Sequence, residues 1–173
     1  ALAGSFASTY SGNVALNDAN VTDINATDIT TIAGDTTGTL TVSNAVDING
    51  TAAQIKAAVA LVDTFSAAAT VNISDNHSLA ELKAINNAVT GAITLNNYGV
   101  ALSGSVADIK AALAGSFADT YTGNVTITDA NADDITATDI LAIDAATTGT
   151  ITVSNSIDIN GTSTDVSEAF EAI

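Results

Sequence analysis

The chain has 173 residues, with 19 acidic side chains against 3 basic ones and a formal net charge of −16. Its only cations are Lys56, Lys83 and Lys110, so the clustered Lys and Arg needed to grip a phosphate backbone or an anionic membrane surface are missing, and nucleic acid is excluded as a partner. Cys is absent, which removes disulfide staples and thiolate metal sites, and aromatics are 4% against 47% apolar residues in all, so a core has to be built from Ala, Val, Ile and Leu in thin regular layers.

The first predicted strand is Val14-Ala15-Leu16, a period-2 alternation with an Asp (Asp18) close behind it. Ile29 and Ile32 then keep part of a helical stripe, in a stretch that reads as a short helix or a turn. Gly38 is expected to end that stretch in a left-handed conformation, with a second strand at Leu40-Thr41-Val42 and a third ending at Gly50. A second helix opens on Thr51-x-x-Gln54, with Ile55, Val59 and Val62 as its buried face.

The middle of the chain repeats the order. Val71-Asn72-Ile73 is a strand followed by Asp75, and Ser78-Leu79-Ala80-Glu81 is a capping box opening a helix with Leu79, Leu82, Ile85 and Val89 on one face. Gly91, Ile93-Thr94-Leu95, Gly104 and Ser105-x-x-Asp108 follow, with Ile109, Leu113 and Phe117 as the next buried face. The last third gives Val125-Thr126-Ile127 before Asp129, then Ile140 and Ile143, Gly149, Ile151-Thr152-Val153, Gly161 and Thr162-x-x-Asp165, with Val166, Phe170 and Ile173 facing inward.

This order is an internal repeat. Leu2-Ala3-Gly4-Ser5-Phe6-Ala7 returns without gaps as Leu113-Ala114-Gly115-Ser116-Phe117-Ala118, an offset of 111 residues, and about two-thirds of the first fifty paired positions are identical. A weaker copy lies between, so the basic module is about 55 residues, present three times at roughly 1–58, 59–111 and 112–173. Strands separated by helices favour parallel pairing, and repetition turns that into a repeat solenoid: parallel β-strands stacked between modules, with short helices on another wall. The lack of any Pro agrees with an unbroken ladder. Sandwich domains in tandem, the competing architecture, need more strands per unit. No run approaches a membrane span, and the first residues lack the basic segment of an export signal, so the chain reads as a piece of something longer.

The runs Asn124-Val125-Thr126-Ile127-Thr128-Asp129 and Ile143-Asp144-Ala145-Ala146-Thr147-Thr148-Gly149-Thr150 resemble the Thr/Ala/Asp-rich tandem repeats of very large bacterial cell-surface proteins, cyanobacterial and proteobacterial above all. The resemblance covers nearly the whole chain. It implies export, surface display and a passive or adhesive role, and it carries over no catalytic residue. Chains of that kind often carry hemolysin-type calcium repeats, but the signature Gly-Gly-x-Gly-x-Asp is absent here.

Candidate chemistry is sparse. Asp75-Asn76-His77-Ser78 holds the only His, yet neighbours in sequence rarely form a nucleophile–base pair, and the expectation is a solvent-exposed loop His beside a capping Ser. Asp47-x-Asn49-Gly50 and Asp158-x-Asn160-Gly161, with Asp165 nearby, are weak calcium candidates: the acid and amide share an outer strand face, but further oxygen ligands at fixed steps are missing. Stacking would also bring carboxylates such as Asp18, Asp23 and Asp28, and Asp129, Asp133, Asp134 and Asp139, within strand spacing, where a divalent cation would relieve repulsion. Asn-x-Ser/Thr sequons follow from composition, and no glycan is expected. Lys56 and Lys110, on equivalent helices, are placed to bridge neighbouring acids.

The expected function is a non-catalytic structural or adhesive repeat segment, extracellular or on the cell surface. The solenoid ends have no polar cap, so the partners expected are flanking repeats or identical subunits, end to end. The alternative is a surface polysaccharide- or calcium-binding module of a secreted adhesin, with Tyr10 and Tyr121, equivalent by the repeat, offering a sugar platform. A solenoid lyase or hydrolase fits worst, because its catalytic acids would be unique to one module.

Overall fold

A computed structural model describes residues 9–173. Among these it is a mixed α/β fold of twelve short strands and six helices. In chain order they are β1 (Val14–Leu16), β2 (Asp23–Asn25), α1 (Ala26–Gly34), β3 (Leu40–Val42), β4 (Asp47–Gly50), α2 (Ala52–Val59), β5 (Thr64–Phe65), β6 (Thr70–Ile73) and α3 (Leu79–Ala88). Then come β7 (Ile93–Leu95), β8 (Leu102–Gly104), α4 (Val106–Leu113), β9 (Val125–Ile127), β10 (Asp134–Thr136), α5 (Ala137–Asp144), β11 (Ile151–Val153), β12 (Asp158–Asn160) and α6 (Ser163–Ala172). Residues 2–7, the first copy of the repeat that returns at 113–118, lie outside the described residues.

Strands assemble as β1-β3-β5, β2-β4-β6-β7, β8-β9-β11 and β10-β12, and every pairing is parallel. Paired residues are separated by as few as 22 positions (Val71 and Ile93) and as many as 26 (Val14 and Leu40). That length returns the chain to the same edge in the same direction, which parallel pairing requires. The helices pack in chain order, α1 on α2 and so on to α6. The pairing offset is about half the 55-residue module read from the sequence, because each module makes two strand-to-helix passes. Twice, a strand that ends in Gly just ahead of a helix pairs with a strand that follows that helix. β4 takes β6, with Gly50 opposite Ile73, and β8 takes β9, with Gly104 opposite Ile127.

The predicted caps form. Thr51 and Ser78 make capping boxes with Gln54 and Glu81, and Ser105 and Thr162 accept the amides of Asp108 and Asp165. The stretches around Ile29 and Ile140, open between helix and turn in the sequence, are helices. The sequence pattern missed β2, β10 and β5. The first two have one inward residue each, Ile24 and Ile135, too few to register as alternation.

The glycine expectation is corrected. None of the described glycines has a positive φ, and the helices that Gly38, Gly91 and Gly149 were expected to terminate end instead at Asp35, Val89 and Ala145. Gly91 is small for another reason: a Cβ there would run into the carbonyl oxygen of Ala69, the residue just ahead of β6. Gly149 meets the Gly123 carbonyl in the same way.

One hydrophobic cluster runs unbroken from Leu16 to Ala169. Its helix positions are often Ala (Ala26, Ala58, Ala112 and Ala137, all 0% exposed), which lets helix backbones sit close on the Ile/Val/Leu strands.

Candidate functional site

The outward strand faces carry the calcium candidates. Asp23 is opposite Asp47 and Asp134 opposite Asp158, so two carboxylates do face each other across neighbouring strands. One acid of each pair accepts from an amide: Asn49 donates to Asp23 at 2.9 Å and Asn160 to Asp134 at 2.9 Å. Asp47 also accepts from the Thr70 hydroxyl. Asp165 is not brought to Asp158 and Asn160; its carboxylate takes the Thr162 hydroxyl at 2.8 Å inside the cap of α6. Among the described residues no three His, Asp or Glu side chains come together as a metal-ligand group. Asn25, Asn49, Asn72 and Thr94 continue the same face as a polar ladder.

His77 is not in solvent, which corrects the expectation from its loop sequence. It is 4% exposed, and its Nε2 lies 3.0 Å from the Tyr121 hydroxyl, which in turn donates to the Val100 carbonyl at 2.6 Å. The phenol proton is committed to Val100, so the network assigns Nε2–H as donor to the Tyr121 oxygen and leaves Nδ1 bare, buried without a partner. Burial holds the His77 pKa below its ordinary value, against the raising pull of Glu81 and Asp75, and burial pushes the Tyr121 phenol far up. Ser78 is turned away into its cap with Glu81, so Ser78 and His77 do not form a nucleophile–base pair. Tyr121 is 1% exposed and offers no ring to a sugar. Only tertiary contact reveals this cluster.

Lys110 bridges to Asp139 from α4 to α5, as expected of it, and Lys83 bridges to Asp108 from α3 to α4. The Lys holds the carboxyl of Asp108, and likewise of Asp139, below the usual carboxylate range. Beside Lys83, a groove of about 640 Å³ between α3 and α4 is lined by Ser78, Leu79, Asn87 and Asp108. Its charges already satisfy each other.

Bonds between successive passes are more specific. The Ala52 amide, first in α2, donates to Asp75 at 2.8 Å, and the Val106 amide, first in α4, donates to Asp129 at 2.8 Å. Each carboxylate caps a helix 23 residues earlier in the chain. At the C-terminal face that cover stops. Val42, Ile48 and Val59 are at most 5% exposed, whereas their equivalents 111 residues on, Val153 and Ile159, are half-buried and Phe170 is 61% exposed. With Ile157 and Ile173, and with Asn155 and Ser156 as its polar part, they line a cleft of about 400 Å³. The predicted inward face of α6 is therefore open at Phe170 and Ile173.

No helix among the described residues is long and apolar enough to cross a membrane. No family model, curated protein or solved structure matches the chain.

Proposed function

We propose that this chain is a non-catalytic structural segment of a protein displayed outside the cell, a solenoid whose strand and helix walls stack pass upon pass as part of a stalk, coat or filament. The observation that carries this reading is the pairing rule: every strand pair is parallel, with partners 22 to 26 residues apart, while helices pack in chain order. A chain wound turn upon turn produces that pattern, and tandem globules would break the hydrophobic cluster that runs from Leu16 to Ala169. Neighbouring strands need about 4.8 Å and neighbouring helices about 8–10 Å, so stacking bends the array with helices on the convex wall.

The extracellular, passive role is supported by the net charge of −16, the outward Asp and Asn ladder, and carboxylates that recur with the repeat and are spent on caps and bridges. Labelling intact source cells with an antibody raised against this segment tests it. Labelling without permeabilisation is expected; labelling only after permeabilisation overturns the reading.

A further inference from the structure

Resting on that reading, we propose that the C-terminal face of one copy receives β1 of a second copy, head to tail, with Asp18 of the incoming copy capping α6. Two joints inside the chain supply the template. In the first, β4 takes β6 and Asp75 caps α2; in the second, β8 takes β9 and Asp129 caps α4. The inserted strands read Val71-Asn72-Ile73-Ser74-Asp75 and Val125-Thr126-Ile127-Thr128-Asp129. The third sequence of this kind is Val14-Ala15-Leu16-Asn17-Asp18.

Both halves of a third joint are present and unjoined. Ile159-Asn160-Gly161-Thr162-Ser163 matches Ile48-Asn49-Gly50-Thr51-Ala52, but no carboxylate among the described residues caps the Ser163 amide. Among the described residues β12 pairs with β10 alone, on one edge. Among the described residues β1 is likewise paired on one edge, to β3, and Val14 is half-buried where Val71 and Val125 are 0% exposed. The Asp18 side chain is exposed. Carrying the internal register over sets Ile159 opposite Val14 and Gly161 opposite Leu16, and lays the incoming copy over Phe170.

The chain's own sequence is thus the complement of its own end, which favours a second copy as occupant. Charge sets the strength of the joint. Inside the chain, Lys110 meets Asp139 across α4 and α5; at the new joint the equivalent positions hold Ser167 and Asp28, with no cation. Two copies of charge −16 repel, so association strengthens as salt screens them.

Sedimentation velocity over a wide concentration range, at low and high salt, tests the joint. The expected result is a mass that keeps rising with concentration instead of stopping at a dimer, and rises further with salt, because a head-to-tail contact does not close. Asp18→Ala should weaken association roughly 2- to 30-fold, the equilibrium equivalent of one lost helix cap. Phe170→Glu should abolish it, and Ser167→Lys, by facing Asp28, should strengthen it. Unchanged melting of each variant at low concentration shows that the fold is intact. A monomer at every concentration overturns the inference, as it would if only a longer stretch of a parent chain covers this face. A mass that stops at a dimer, or association indifferent to Asp18→Ala and Phe170→Glu, also overturns it. Each of these failures leaves the surface-segment reading standing, since cell labelling decides that separately.

Discussion

The imidazole of His77 and the phenol of Tyr121, 44 residues apart in the chain, meet at 3.0 Å in the core and share one hydrogen-bond line that ends on the Val100 carbonyl. Removing the hydroxyl leaves a buried N–H and a half-buried carbonyl without that partner. Tyr121→Phe should therefore cost about 1–3 kcal/mol in urea unfolding, although the ring still fills its place.

The same pair sets a pH dependence. In the unfolded chain His77 titrates near 6.5, and in the fold its pKa is lower, because burial takes the charged imidazolium out of water. Between those two values the unfolded chain binds more protons. Stability is thus full above about 6.5 and falls as pH drops through the folded value. Glu81, Asp108 and Asp139, held low in the fold, add losses at still lower pH. Urea melts at a series of pH values should show the first decline in the native chain and its flattening in His77→Gln.

Asp75 and Asp129 each close a helix they do not belong to. Asp75→Ala and Asp129→Ala should each cost about 0.5–2 kcal/mol by urea denaturation. Asp18→Ala, which removes no such bond within a single copy, should leave the monomer's stability within about 0.5 kcal/mol of the native chain.

Gly91 and Gly34 should respond in opposite directions. A Cβ at Gly91 meets the Ala69 carbonyl oxygen, so Gly91→Ala forces a strand shift and should cost upwards of about 1 kcal/mol. Nothing lies within 4 Å of a Cβ at Gly34, in the last turn of α1, so Gly34→Ala should stabilise by about 0.5–1 kcal/mol. Thermal melts of the two variants check both signs.

Val21 sits at φ 58° with 78% of its surface exposed, and its repeat equivalent Ala132 sits at φ 64°. A β-branched residue is strained there. Val21→Gly should raise the melting temperature, by the equivalent of about 0.5–1 kcal/mol.

Much of the local structure was legible. Val14-Ala15-Leu16, Val71-Asn72-Ile73 and Ile151-Thr152-Val153 announce strands by alternation, and Thr51, Ser78, Ser105 and Thr162 announce helix starts by cap chemistry, since both signals lie within four residues of chain. The repeat made one end of the chain a template for the other. β2 and β10 stayed hidden because a three-residue strand with one inward Ile carries no period of its own.

The sequence by itself determined where the alternating strands and the capped helices lie, and that strands separated by helices pair in parallel. Tertiary structure decided the rest. Which strand takes which neighbour, that Asp75 and Asp129 cap a helix from the preceding pass, and that His77 is sealed under Tyr121 all depend on groups more than twenty residues apart. Periodicity and capping report on a residue and its near neighbours along the chain, whereas burial is set by what the folded chain lays over it.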